Sequence, residues 1–218
     1  MQQFLEIISP LTVDVDNITV PGTYDDLNND IQNISSGSTY DITRDYKFDG
    51  KGQTIILQDH VIKISQDNIV INGNGHTIDA GGHQSFAIFK ILGNNVTIKD
   101  LVFINSQPDS LKGPTLYGGT TCQMILSPIS WQGNNGVMKG CSFYNNGAVN
   151  GGAVTWDGDN GTIDNCYFEN NTAKGVAGAL YIGGTNNTVS NCRFVNSSSQ
   201  LSGEAIYIWT ATVKTLIL

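Results

Sequence analysis

The sequence predicts an all-β fold, a parallel β-helix preceded by a short N-terminal helical cap. Two short motifs recur at almost constant spacing, and the apolar segments around them have the length of strands rather than of helices. In the first motif, Ala153, Ala179 and Ala205 each precede a similar apolar segment and are 26 residues apart. A repeat of this length, punctuated by Asn and Gly, is typical of a solenoid in which each unit packs on its neighbours.

The second motif, Cys-x-Phe-x-Asn, keeps the spacing of the first. It begins at Cys141, Cys166 and Cys192. Leu101 and Phe103 occupy the equivalent positions one unit earlier, and residues 67–71 precede the similar residues 94–98 by 27 residues. At least five repeat units are therefore expected between about residue 60 and the C-terminus.

The apolar segments within each repeat indicate strands. Each is three to five residues long, rich in Val, Ile, Thr, Tyr and Phe, and alternates apolar with polar residues, as in Val154 and Trp156. From residue 36 onward, no window has the helical spacing of apolar residues without an interrupting Gly or Asn pair. Three such strands in each repeat form one triangular coil of a parallel β-helix.

Equivalent residues of successive coils are expected to stack about 4.8 Å apart, so that each repeat position becomes a ladder. Three inward ladders are predicted, formed by Ile71, Ile98, Met138, Ile163 and Val189, by Leu101, Cys141, Cys166 and Cys192, and by Phe103, Phe143, Phe168 and Phe194. A fourth ladder of corner amides is predicted two residues after the phenylalanines, at Asn105, Asn145, Asn170 and Asn196.

The chain divides into a cap, residues 1–50, and β-helix repeats, residues 51–218. In the cap, Leu27, Ile31 and Ile34 share one face of a predicted helix that covers the open strand edges of the first coil. After Ile208 the repeat pattern is lost. The last ten residues are either an improvised cap or the point where a longer array is truncated, and we expect truncation.

The composition and charge of the chain indicate which classes of partner, and which cellular location, are compatible with it. Charged residues make up 14% of the chain and the net charge is −8, without a basic run, which argues against nucleic acid or anionic membrane as a partner. No secretion signal and no apolar stretch of about 20 residues occurs, so a signal and an anchor would lie outside this chain. Seven Asn-x-Ser/Thr acceptors weakly favour secretion and glycosylation. The oligomeric state is left open.

The repeated cysteines have three interpretations. A buried thiol ladder is favoured, because Leu101 holds the equivalent position one coil earlier. A disulfide between adjacent coils and a metal site are the alternatives, but no CxxC pair or nearby His supports a metal site. Cys122 lies outside the repeat. No cofactor is indicated.

Signals of catalysis are weak. Residues 73–83 resemble a Gly-rich structural turn of pectin-active hydrolases and lyases. Such enzymes use carboxylates on neighbouring coils, or calcium ligands with an Arg or Lys base. The chain has two arginines and three histidines, and Asp157 and Asp159 flank a Gly turn that favours a solvated corner over an acid pair. We therefore expect a protein that is not an enzyme.

A long insertion, residues 106–122, interrupts the repeat and is a candidate binding loop, although it also fits a surface loop without function. Its candidate binding residues are Asp109, Lys112 and Tyr117. Trp131 and Trp156 stand at equivalent places beside Gly turns, where they form either a sugar-stacking platform or core packing.

The segments 69–80, 89–91 and 95–99, followed by Gly151-Gly152-Ala153, resemble the adhesin-like surface proteins of methanogenic archaea. The resemblance covers about residues 23–208 and implies a right-handed parallel β-helix displayed outside the cell, but it brings no site residues. The Gly-Gly-Ala and Phe-x-x-Asn pair is also similar to repeats of polymorphic bacterial outer-membrane proteins.

The sequence thus favours an extracellular, adhesin-like module that binds a glycan or cell-wall polymer through the helix side or the loop. The alternatives are a polysaccharide-active enzyme of the pectin lyase or hydrolase kind, and a structural spacer. Acidic clusters along a side groove, or bound calcium, would favour the enzyme.

Overall fold

The computed structural model describes residues 20–48, 61–82, 87–106 and 127–209, together with the backbone of 213–217. Within these residues the chain forms one helix, α1 (Tyr24–Gln32), and 22 short strands. In chain order the strands are β1 (Thr39–Asp41), β2 (Tyr46–Lys47), β3 (Ile62–Ile64), β4 (Val70–Asn72), β5 (Thr77–Asp79), β6 (Phe89–Ile91), β7 (Thr97–Lys99), β8 (Val102–Ile104), β9 (Ile129–Trp131), β10 (Val137–Lys139), β11 (Ser142–Tyr144), β12 (Gly147–Ala148), β13 (Val154–Trp156), β14 (Thr162–Asp164), β15 (Tyr167–Glu169), β16 (Thr172–Ala173), β17 (Leu180–Ile182), β18 (Asn187–Ser190), β19 (Arg193–Val195), β20 (Ser198–Ser199), β21 (Ile206–Ile208) and β22 (Val213–Ile217).

The strands form parallel sheets, each built from one strand of every coil. Sheet I contains β1, β4, β7, β10, β14, β18 and β22; sheet II contains β2, β5, β8, β11, β15 and β19; the narrow sheet III contains β12, β16 and β20; and sheet IV contains β3, β6, β9, β13, β17 and β21. The chain passes from sheet IV to sheet I, then to sheet II, and returns to sheet IV one coil further on. The predicted all-β, right-handed parallel β-helix is therefore confirmed.

Side chains that alternate inwards along each strand form the core. The rings of Phe103, Phe143, Phe168 and Phe194 stack with centroids 5.1, 5.0 and 4.7 Å apart and within 7° of parallel. The first three rings are fully buried, as are the aliphatic side chains of the ladder that begins at Ile71. A buried Phe or Ile stabilises the fold by roughly 1.5–3 kcal/mol. Because one coil cannot bury its own face, this contribution depends on stacking.

The helix α1 begins with a capping box, in which Thr23 and Asp26 each accept a hydrogen bond from the other's backbone N–H. Leu27 and Ile31 are fully buried against the first coil, and Gln32 Nε2 donates to Lys63 O over 2.8 Å. Strands β1 and β2 already pair with β4 and β5, so the coils begin at Thr39, earlier in the chain than the boundary at residue 51.

Asparagines form the corners because they tolerate positive φ better than most other residues. Between sheets IV and I the corner residues have φ from 54° to 58° and include Asn68, Asn95, Asn135, Asn160 and Asn186. A second set, with φ from 49° to 59°, follows sheet II and consists of Asn105, Asn145, Asn170 and Asn196. The high Asn content is thus a requirement of the backbone.

The predicted amide ladder is displaced by one residue. Asn145 and Asn170 supply the corner conformation and are exposed, whereas Asn146 and Asn171 point inwards and are fully buried. Asn171 Nδ2 donates to Phe143 O over 3.0 Å, and its Oδ1 accepts from the backbone N–H of Asn146 over 3.1 Å. The left-handed residue turns the chain, so the residue after it faces the interior. The amides therefore bond backbone groups that would otherwise be buried without partners.

Candidate functional site

Two of the five candidate binding residues lie in the part of the chain that the structure describes. Asp109, Lys112 and Tyr117 lie outside the described residues, as does the insertion from residue 107 onward. Trp131 and Trp156 have no exposed surface, and their rings stack inside the coil with centroids 4.2 Å apart. Neither ring can offer a face to a sugar, so the sugar-stacking interpretation is wrong for these residues and the packing alternative is correct.

The three repeated cysteines are buried and carry free thiols. Each Sγ lies near the carbonyl oxygen of the residue two positions earlier, at 3.3 Å for Cys166 and 3.2 Å for Cys192. Hydrogen bonding with the thiols above and below it, together with burial, raises the pKa of Cys166 far above its usual value. The buried thiol ladder is confirmed. Among the described residues, no group of three His, Cys, Asp or Glu side chains is placed to hold a metal ion.

A row of outward side chains crosses sheet IV, one from the middle of each strand. Hereafter called the outer row, it consists of Lys63, Lys90, Ser130, Thr155, Tyr181 and Tyr207. At the spacing of parallel strands, six positions span about 24 Å along the helix axis. The outer row is therefore long enough to follow an extended polymer over several units.

The N-terminal end of the outer row is cationic. Lys63 is exposed and Lys90 is partly exposed, and the two residues are direct neighbours in the pairing of β3 with β6. No carboxylate belongs to the outer row itself. Two adjacent ammonium groups without an acid between them form an electrostatic site for a negatively charged ligand.

Hydroxyl groups occupy the middle of the outer row. The Oγ of Ser127 lies 2.6 Å from Oγ1 of Thr155, and it donates to Asn150 O over 3.0 Å. Ser130, one position before Thr155 in the row, is almost fully buried.

The C-terminal end of the outer row is aromatic. The rings of Tyr181 and Tyr207 lie 6.0 Å apart and 15° from parallel, and Trp209 lies 6.3 Å from Tyr207 with 54% of its surface exposed. Partly exposed aromatic rings with a polar edge are suited to packing on the apolar face of a sugar ring. The described structure therefore offers a stacking surface here, at positions the sequence analysis did not select.

One acid stands beside this aromatic end. Burial raises the pKa of Asp157 above its usual value. The pKa of Tyr181 is also raised, first by burial of its own ring and then by the negative charge of Asp157. A Cβ on Gly183 would lie 2.5 Å from Asp157 Oδ1, so a side chain at this position would displace the carboxyl group. Asp157 is exposed to solvent, so a ligand that packs on the neighbouring aromatic rings can reach it.

The neighbouring acid has a different role. Asp159 Oδ1 accepts hydrogen bonds from the backbone N–H and hydroxyl of Thr185 at 2.6 and 2.9 Å, and these bonds lower the pKa of Asp159. The same bond, in which a side-chain oxygen accepts from a backbone N–H of the next coil, recurs at Asp67, Asn94 and Asn134. Asp159 thus belongs to a structural corner ladder, as the solvated-corner interpretation predicts, whereas Asp157 does not.

No family model and no curated protein matches the sequence. Solved structures that share its fold include a complex structure of the alginate lyase AlyF-OU02, with a TM-score of 0.54 and 11% identity over 90% of this chain and 48% of the lyase chain. A candidate glycosyl hydrolase from Parabacteroides merdae ATCC 43184 has a TM-score of 0.52 and 14% identity, covering 88% and 85% of the two chains. A PL6 alginate lyase in complex with a trisaccharide has a TM-score of 0.50 and 14% identity, covering 85% and 44%.

These similarities correct the expected function. The solved structures of this fold include two alginate lyases and a candidate glycosyl hydrolase, so the interpretation as a non-enzymatic, adhesin-like binding module is wrong. At 11–14% identity the likeness itself shows the fold, and the chain spans about half the length of the two lyases.

Proposed function

We propose that this chain is a polysaccharide-active enzyme that holds its polymer along the outer row of sheet IV. The observation on which this proposal rests is the order of groups in that row, with adjacent lysines at one end, the partly exposed hydroxyl of Thr155 in the middle and stacked aromatic rings at the other. Charged groups position acidic sugars, and aromatic rings hold the apolar faces of sugar rings. The shared fold with alginate lyases supports this proposal.

The lysine pair favours a uronic acid polymer and cleavage by elimination. In that reaction a base removes the proton on the carbon next to the carboxylate, and the electron pair forms a carbon–carbon double bond. The glycosidic C–O bond breaks, and the departing oxygen takes up a proton. An ammonium group on the carboxylate stabilises the negative charge that develops as the proton leaves. Lys63 and Lys90 are the described residues of the outer row that can supply this charge.

Hydrolysis is the second candidate, and Asp157 is the observation that favours it. Hydrolysis of a glycosidic bond needs an acid and a second carboxylate, about 5–9.5 Å apart. The raised pKa of Asp157 suits the acid, but Asp159 is bound to Thr185. Among the described residues, elimination therefore has the better support.

A polymer too large to enter a cell is met outside it, so the proposal keeps the extracellular location expected from the sequence. Kinship with the adhesin-like archaeal proteins stays a prediction.

The test is incubation of the chain with alginate, polygalacturonate and a neutral polymer such as xylan. Elimination produces unsaturated sugar ends that absorb ultraviolet light, whereas hydrolysis produces reducing ends without that absorbance. We expect unsaturated ends from an acidic polymer. Reducing ends alone would move the proposal to the hydrolase candidate, and no cleavage of any polymer would overturn it.

Variants then place the activity on sheet IV. Changing both Lys63→Ala and Lys90→Ala is expected to abolish cleavage of the acidic polymer. The matched control is the adjacent lysine pair on sheet I, changed as Lys99→Ala and Lys139→Ala. Equal loss of activity in both double variants would contradict the placement, since it would reflect overall charge rather than the outer row.

A further inference from the structure

A second row of side chains runs beside the outer row at the aromatic end of sheet IV. It consists of the residues that directly follow β13, β17 and β21, which are Asp157, Gly183 and Trp209. The ladder of backbone hydrogen bonds continues through them, since each of their N–H groups donates to the carbonyl group that ends the sheet IV strand one coil earlier. Gly183 therefore leaves a gap in this row, between an acid and an indole.

The gap over Gly183 is bordered by a carboxylate and by aromatic rings. A Cβ on Gly183 would lie 2.5 Å from Asp157 Oδ1 and 3.2 Å from Cε1 of Tyr181, so both groups lean over the glycine. The ring of Tyr207 follows that of Tyr181 at 6.0 Å, and the exposed ring of Trp209 follows Tyr207 at 6.3 Å. These five residues form a shallow recess, hereafter the Gly183 recess, with backbone at its floor.

The acid of the recess, Asp157, has oxygen atoms that can accept hydrogen bonds from a ligand. No hydrogen bond or ion pair joins its carboxyl group to another of the described residues, and Asp157 is exposed. Asp159, two residues later, instead accepts from Thr185. A carboxylate that no protein donor occupies can accept from the hydroxyl groups of a ligand.

We infer that the Gly183 recess holds a neutral sugar unit and that Asp157 determines this specificity. The rings pack on the apolar face of the sugar, and the carboxylate accepts hydrogen bonds from two adjacent hydroxyl groups. A uronate unit in the same place would bring a second carboxylate beside Asp157. No basic side chain of the described residues acts on the carboxyl group of Asp157, so none compensates the repulsion.

The position of the recess indicates a class of substrate. Lys90 and Tyr181 are three strands apart in the outer row, which corresponds to about 14 Å. A polymer lying along the row meets cations at one end and an acid at the other. Its units are therefore a uronate at the lysine pair and a neutral sugar at the Gly183 recess. This assignment of a mixed polymer rests on the proposed function, whereas binding in the recess needs no cleavage.

The experiment is a calorimetric titration of the Lys63→Ala, Lys90→Ala double variant, in which the lysine pair no longer attracts uronates. The probes are xylohexaose, which is neutral, and hexagalacturonate, which has the same number of units. We expect hexagalacturonate to bind at least about fivefold more weakly than xylohexaose, the effect of two like charges about 4 Å apart in water. Added salt should reduce the difference. Equal affinities, tighter binding of hexagalacturonate or no binding of xylohexaose would overturn the inference.

Two further changes in the same double variant locate the discrimination. Asp157→Asn should bring the two affinities to within about twofold, because the amide still accepts a hydrogen bond but repels no carboxylate. Asp159→Asn changes the net charge equally and should leave the ratio of affinities unaltered. An unaltered ratio in Asp157→Asn contradicts the assigned role.

Gly183→Leu fills the recess and should abolish binding of xylohexaose, with thermal unfolding as the check that the variant is folded. Binding that survives this change places the sugar elsewhere. The outcomes for cleavage are separate. Cleavage of acidic polymers by the parent chain without discrimination in the recess overturns this inference alone, and discrimination without cleavage of any polymer overturns the proposed function alone.

Discussion

Trp156 and Gly161 are fitted to each other, since a Cβ on Gly161 would lie 2.7 Å from Cε2 of the Trp156 ring. Trp131 and Gly136 repeat the relationship one coil earlier, where a Cβ on Gly136 would lie 2.5 Å from Cε2 of the Trp131 ring. In coils without Trp, the same two positions carry two residues of intermediate size. These pairs are Ile64 with Ile69, Ile91 with Val96, and Ile182 with Asn187. Each coil thus fills one corner with a large and a small residue, or with two of intermediate size.

This fit predicts that Gly161→Val destabilises the protein strongly. The added methyl groups meet the ring of Trp156 in a packed interior, and overpacking of this kind costs about 1–3 kcal/mol. As a single change, Trp156→Ile leaves a cavity in the core and should lower the free energy of unfolding by roughly 2–5 kcal/mol. The measurement is the free energy of unfolding in urea.

The double variant provides the control. Trp156→Ile with Gly161→Val reproduces the pair Ile91 and Val96, so it should be more stable than the sum of the two single changes implies, by about 0.5–3 kcal/mol. Strict additivity would show that the two positions do not share the space.

The sequence could predict the stacking of Phe103, Phe143 and Phe168, because a fixed period places equal residues above one another. It could not select Lys63 and Lys90, because each stands alone between two apolar residues of its own repeat. Their proximity follows from the register of β3 with β6. Alternation within the strand does predict that both point outwards, so comparing the middle residues of all six sheet IV strands would have identified the outer row.

The displaced amide ladder gives a second prediction, which contrasts two adjacent residues. Asn171→Ala removes the partners of Phe143 O and of the Asn146 N–H inside the core, and each unpaired group costs about 1–3 kcal/mol. Asn170→Gly keeps the left-handed corner and should change the free energy of unfolding by only a few tenths of a kcal/mol. If Asn170→Gly were the more damaging change in thermal unfolding, the ladder would lie where the sequence analysis placed it.

The cysteine ladder gives a third prediction, measured with a thiol reagent. The Cys122→Ser variant retains three thiols, those of Cys141, Cys166 and Cys192. Labelling of these thiols in the folded protein should be slow, because all three are buried. Labelling should become fast for all three thiols in denaturant. Fast labelling of Cys166 without denaturant would contradict the packing, because this thiol lies between the other two and has a raised pKa.

The last prediction concerns the pH dependence of stability at Asp157. Its pKa is raised by burial from the usual value of 3.8, so the folded state holds a proton that the unfolded state releases. The free energy of unfolding should therefore fall as the pH rises above 3.8 through the pKa of the folded state, and stay lower at neutral pH. Asp157→Asn removes this loss, so the variant should be slightly more stable than the parent at neutral pH; the gain is small because the residue is exposed to solvent, which screens the charge. The advantage should disappear at pH values below 3.8.

Asp159→Asn is the matched control, because the pKa of Asp159 is lowered and its contribution has the opposite sign. The ionised Asp159 stabilises the folded state above pH 3.8, and that contribution is lost as the pH falls through its folded pKa. An Asn at this position can still accept from the Thr185 N–H, as Asn134 accepts from Asp159, so the variant loses only the charge. Urea unfolding of both variants from acid to neutral pH tests the pair. If Asp157→Asn does not raise the free energy of unfolding at neutral pH, burial does not raise the pKa of Asp157. Asp157 is then not a candidate proton donor.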